Sequence, residues 1–111
     1  MNEQEFKDRT KKLALRIITL VDSLPKSKSA SVIGNQLLRS GTSVGANYRA
    51  ACRAKSTADL INKLAIVEEE SDESLYWMEL LIEAKIVNEV KLSQLMKDMN
   101  EVISMVVSSI K

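Results

Sequence analysis

Five carboxylates crowd one short stretch of the chain: Glu68, Glu69, Glu70, Asp72 and Glu73. Glu70 and Glu73 are three residues apart, so on a helix they share a face, in line with Ile66 and Trp77. Paired carboxylates inside a helical bundle are the frame of di-iron sites. Those sites also draw on Glu-x-x-His motifs, and this sequence has no histidine. The same absence removes the commonest general base, the commonest transition-metal ligand and the neutral-pH proton switch. At most a loosely held divalent cation fits such a cluster. A polar network, in the interior or at an interface, explains it better, because isolated burial of charge is very costly. Arg39, Asn47, Arg49 and Arg53 are the candidate partners.

Other reactive groups are sparse. Cys52 lies between Arg49 and Arg53, which permits either a small packing residue or a thiol of lowered pKa. Ser40, Thr42 and Ser43 have no triad around them and read as close-packing residues. There is no Gly-x-x-x-x-Gly-Lys phosphate loop and no Cys-x-x-Cys pair. The chain is therefore expected to be no enzyme and to hold no metal or cofactor.

The elements that position these residues read as four helices, about Glu3 to Leu24, Ser29 or Ala30 to Arg53, Thr57 to Val87, and Lys91 to Ile110. Phe6, Leu13, Ile17, Leu20 and Leu24 stripe the first, widened by Ala14, Ile18 and Val21. Pro25 stops it. Val32, Ile33, Leu37, Val44 and Tyr48 pattern the second. Gly41 and Gly45 lie inside it, each costing about 1 kcal/mol relative to alanine. Either a loop splits this segment, or a row of small residues lets another helix come close; the second is preferred. On the third, Ser56 is the N-cap and Asp59 completes a capping-box-like arrangement. Ile61, Leu64, Leu75, Met78 and Ile82 form one seam, and Ile66, Trp77 and Leu81 a second flank, so this helix has more than its own bundle to touch. Asn88 is the expected stop. Leu92, Leu95, Met99, Ile103, Val106 and Ile110 stripe the fourth. Short connections make neighbours antiparallel. The expectation is an all-α, up-down-up-down four-helix bundle, one domain over residues 1–111.

With 111 residues, 45% hydrophobic and 28% charged, the chain has the composition of a globular domain. Its longest apolar runs are four residues, Leu64 to Val67 and Leu75 to Met78, far short of the ~20 of a membrane span. A polar start, Met1 to Arg9, and a single cysteine fit a reducing cytoplasm. Charge is uneven: residues 1–63 carry 12 Lys or Arg against 5 Asp or Glu, and residues 64–111 carry 4 against 10. Folded up and down, the chain gathers Lys7, Arg9, Lys11, Lys12 and Arg16 near Arg49, Arg53 and Lys55. Glu79, Glu83 and Glu89 are expected at the other end. The basic end either attracts phosphate or is an ordinary solvated face. Four aromatics, Phe6, Tyr48, Tyr76 and Trp77, are too few to stack on single strands, so any nucleic-acid contact is to backbone.

The stretch Leu37-Leu38-Arg39-Ser40-Gly41-Thr42-Ser43-Val44-Gly45-Ala46-Asn47-Tyr48-Arg49-Ala50-Ala51, with Ala54-Lys55-Ser56 and Lys63 through Trp77, resembles the signature of the bacterial four-helix-bundle family named for the 23S rRNA intervening sequence. The outer helices match only in length and pattern. The resemblance implies a four-helix bundle assembling as a homopentamer. A non-enzymatic scaffold for RNA or a nucleoprotein is the expectation, and a purely structural or protein-interaction bundle with no nucleic-acid role is the alternative. Members are encoded within intervening sequences of 23S rRNA genes or elsewhere in bacterial genomes. Some carry a ribosomal-protein label, and no molecular function is established for the family. A related branch, the accessory protein of diversity-generating retroelements, is a basic pentamer that works with a reverse transcriptase and nucleic acid. The net charge of +1 departs from that branch, and Ala50 stands where some members have an acid. The positions that match are Arg39, Ser43, Asn47, Arg49, Glu70 and Glu73, which overlap the polar network read from the residues.

Overall fold

A computed structural model of the chain describes residues 2–110. They form α1 (Glu3–Asp22), α2 (Lys28–Ala51), α3 (Thr57–Glu83) and α4 (Glu89–Ile110). Each helix starts where a side chain can satisfy its first free N–H groups. Asn2 Oδ1 accepts the Glu5 N–H at 2.8 Å, and Asn2 Nδ2 donates to Glu5 Oε1 at 2.8 Å. Ser27 accepts the Ala30 N–H at 3.2 Å, so α2 opens at Lys28, slightly before the expected start. Ser56 accepts the Asp59 N–H at 3.1 Å. The Asp59 carboxylate reciprocates, but on the Lys55 N–H at 3.1 Å, one residue before the cap.

The third helix ends earlier than its apolar pattern implies. The chain turns left-handed at Lys85, with φ of 60°. The Ile86 N–H then reaches back to the Leu81 carbonyl at 2.9 Å, and the Lys85 N–H to the Ile82 carbonyl at 2.9 Å. This is the Schellman arrangement, closed without its usual glycine. Asn88 is no stop; its Oδ1 accepts the Val90 N–H at 2.9 Å and opens α4 two residues before the expected Lys91.

Packing is pairwise around a square. Among the described residues the backbones come close from α1 to α2, α2 to α3, α3 to α4 and α4 to α1, and not across the diagonals, in a body of 44 × 22 × 20 Å. Gly34 faces Leu24, Gly41 faces Ile17 and Gly45 faces Thr10, an antiparallel register. The bundle is all-α and up-down-up-down. Leu13, Ile17, Leu37, Val44, Val67, Met78, Leu81, Met99 and Val102 fill the core at 2% exposure or less.

The glycines of α2 sit in an unbroken helix, and close packing is their reason. The α2–α3 contact, the most extensive of the four, uses small polar residues: Ser74 Oγ donates to Ser40 Oγ at 2.9 Å, both fully buried. Other apolar residues fall outside the core. Ile18, Val32 and Ile61 are exposed, and Leu81, assigned to the second flank of α3, is fully buried. On the inner stripe of α4 Val102 is buried, while Ile103 is only partly so.

Candidate functional site

Arg39, midway along α2, reaches across to α3. Its Nη1 lies 3.4 Å from Glu70 Oε2, its Nη2 donates to Glu73, and its Nε donates to Gln36 Oε1 at 3.1 Å. Glu73 Oε2 also accepts the Trp77 indole N–H at 3.0 Å. One guanidinium and one indole thus converge on a single carboxylate oxygen. The Trp77 ring meets Tyr76 edge-on, with centroids 5.1 Å apart. This cluster is not in the interior: the Arg39 side chain is 51% exposed. The polar pair that is buried between these helices is Ser40 with Ser74. Charges exposed to this extent hold each other weakly, so the cluster decorates a surface more than it holds the bundle.

The other expected members lie elsewhere. Asn47 Nδ2 donates to the Ser43 hydroxyl at 2.8 Å and to its carbonyl at 2.9 Å, a bond within α2. Arg49 points to the α1 side. Glu68, Glu69 and Asp72 join no ion pair among the described residues, and there no group of three His, Cys, Asp or Glu is placed to hold a metal ion. Gln36 was the member hidden in the sequence. For Trp77 the signal was present, because residues 73 and 77 are one turn apart.

The eight cations expected at one end are divided by the structure. Arg9 pairs with Glu101, and Arg16 Nη1 donates to Asp98 Oδ2 at 2.7 Å, so these two bind α1 to α4. Lys7, Lys11 and Arg49 line one groove of about 390 Å³ between α1 and α2. Lys12, Arg53 and Lys55 are exposed outside it. Only Lys7 of these six has an acid partner among the described residues, Glu3 at 3.5 Å. The far end is not acidic. Glu79, Glu83 and Glu89 share it with Lys26, Lys28, Lys85 and Lys91, because the start of α2 and the turn after α3 meet there. The acidic region is instead the waist of α3.

Cys52 closes α2 beside Tyr48. Burial pushes the Cys52 thiol up from its ordinary value, and the Glu3 carboxylate adds to the rise. The cation that draws it down is Lys7, and Arg49 and Arg53 do not lower it. Burial, with a hydrogen bond to Cys52, likewise pushes Tyr48 up to about 12.

The register, the serine seam and the Arg39 cluster accompany a sequence match along nearly the whole chain. Residues 2–108 match the family described as 23S rRNA-intervening sequence protein. The chain belongs to that family. A crystal structure of a protein with unknown function from the S23 ribosomal protein family, from Bacteroides thetaiotaomicron, is similar to this member of the 23S rRNA-intervening sequence proteins. It is 40% identical, with a TM-score of 0.90, over 96% of this chain and 98% of that one. No curated protein matches this chain. Among its described residues, no helix is long and apolar enough to cross a membrane.

Proposed function

We propose that this protein is a non-enzymatic, cytoplasmic helical scaffold that assembles with itself, as a homopentamer, and presents its basic end to RNA or a nucleoprotein. The observation that carries the reading is the outer face of α2 and α3. Tyr76 is 52% exposed and Val32 55% exposed, and Trp77 is half-buried beside the Arg39–Glu73 pair. Aromatic side chains around a desolvable arginine are the usual anchors of protein interfaces. The face also carries both signs of charge, which suits contact with another copy of the same chain. A ring of like subunits would repeat the basic end on one side and multiply a weak attraction for polyanion.

The second reading is a structural or protein-interaction bundle with no nucleic-acid role, and the same aromatic face favours it. A filter-binding titration with structured RNA at low and moderate salt separates the two. The first reading expects binding that weakens steeply with salt. Absence of binding at low salt leaves the second.

A further inference from the structure

Two exposed surfaces of this molecule differ in chemistry. The α2–α3 face offers aromatic and aliphatic anchors. The α1–α2 groove offers none. Its cations are Lys7 and Lys11, one turn apart on α1, and Arg49 opposite them on α2. Between them the wall is Ala14, Gly45 and Ala46, with no side chain long enough to fill the groove or to grip an apolar partner.

The neutral polar groups there are already engaged. Thr42 Oγ1 donates to the Leu38 carbonyl at 2.7 Å, and Gln4 Nε2 donates to Asp8 Oδ1 at 3.0 Å. Asp8 is the one acid of the lining, and it is turned to that amide. Lys11 and Arg49 have no acid partner among the described residues, and the Lys7–Glu3 pair, at 3.5 Å with Glu3 61% exposed, is readily exchanged. The free donors facing the groove are therefore ammonium and guanidinium groups. These suit phosphate, which takes point charges from lysine and a planar fork from arginine. A protein partner would need anchors this groove lacks.

We infer that the α1–α2 groove, through Lys7, Lys11 and Arg49, is where the phosphodiester backbone of RNA binds, without reading its bases. This rests on the RNA-binding form of the function proposed above. Arg9 and Arg16, drawn away to α4, contribute little.

The test is the dissociation constant of an RNA hairpin against salt for the full-length chain, for Lys11→Gln with Arg49→Gln, and for Lys26→Gln with Lys28→Gln. The control pair removes the same charge from the other end. All four side chains are exposed, and circular dichroism checks that each variant folds. The groove variant is expected to bind at least ten times more weakly, with the slope of log affinity against log salt reduced by about one per cation removed. The control is expected to stay within about twofold of the native chain. Equal losses in the two variants, or no loss in the groove variant, would overturn the inference while leaving RNA binding intact. An RNA that binds none of the proteins at low salt would remove both. Displacement by polyglutamate as effective as by RNA of equal charge would overturn the assignment to phosphate.

Discussion

Gly41 of α2 lies so close to Ile17 of α1 that a Cβ on the glycine would sit 2.4 Å from Ile17 Cδ1 and 3.1 Å from Cγ2. Ile17 is fully buried, so it has no free space to turn into. Alanine is worth about 1 kcal/mol more than glycine in a helix, yet overpacking a filled core costs typically 1–3 kcal/mol. Gly41→Ala is therefore expected to lower stability, by about 1 kcal/mol, in a chemical denaturation experiment. Shortening the neighbour should relieve the clash. The Gly41→Ala, Ile17→Val double variant should lose less than the two single losses together, and strict additivity would contradict the packing account.

Lys85 presents the opposite case. It holds the left-handed position that closes α3, where glycine carries no steric penalty. Lys85→Gly should stabilise the protein by about 0.5–1 kcal/mol, a rise of roughly 2–6 °C in Tm. Lys85→Ala removes the charge and keeps the strain, so it should give no gain. A lower Tm for the glycine variant would show that the turn does not limit stability.

These two positions also show how far the sequence could be read. Helix number, antiparallel order and most of the core follow from apolar periodicity, from the cap at Ser56 and from the break at Pro25. Gly41 and Gly45 were legible as close packing because a loop there would have wasted the stripe through Leu37, Val44 and Tyr48. The end of α3 was hidden. Ile86 and Val87 continue the apolar pattern but pack against the core from the turn, and nothing in a lysine announces a left-handed backbone. The candidate site was legible in its parts and not in its grouping. The pairing of Arg39 with Glu70 and Glu73 follows from spacing on two helices. Which flank of α1 each cation occupies depends on rotation about the helix axis. That rotation separates Arg9 and Arg16 from Lys7 and Lys11.

The α1–α4 contact is the slightest of the four, and Arg16 bridges it. The hydrogen bond from Arg16, helped by one from Gln94 at 2.9 Å, holds Asp98 below the ordinary carboxylate value. A carboxylate with a lowered folded pKa stabilises the fold above its unfolded value, about 3.9. It loses that contribution as pH falls through the folded value. Asp98→Asn should therefore be less stable than the native chain by a constant margin above about pH 5, and the margin should close below about pH 4. A margin unchanged at pH 3 would show that the ion pair is not its source.

Glu73 joins Arg39 to Trp77, on the face assigned to self-assembly. Glu73→Gln keeps an acceptor for the indole and removes the charge that faces Arg39. The folded monomer should change by less than about 1 kcal/mol, as exposed pairs do. Subunit association should weaken several-fold, read as a shift of the dissociation midpoint on dilution, with a change in Trp77 fluorescence at the same concentration. An unaltered oligomer with an unaltered melting temperature would separate this cluster from assembly.

The most direct test of the scaffold is the molar mass of the purified protein by light scattering at two salt concentrations. The account predicts a mass five times the 12.4 kDa of one chain. A mass of 12.4 kDa at both salt concentrations would contradict it, leaving Tyr76, Trp77 and Val32 on a surface that no copy of this protein covers.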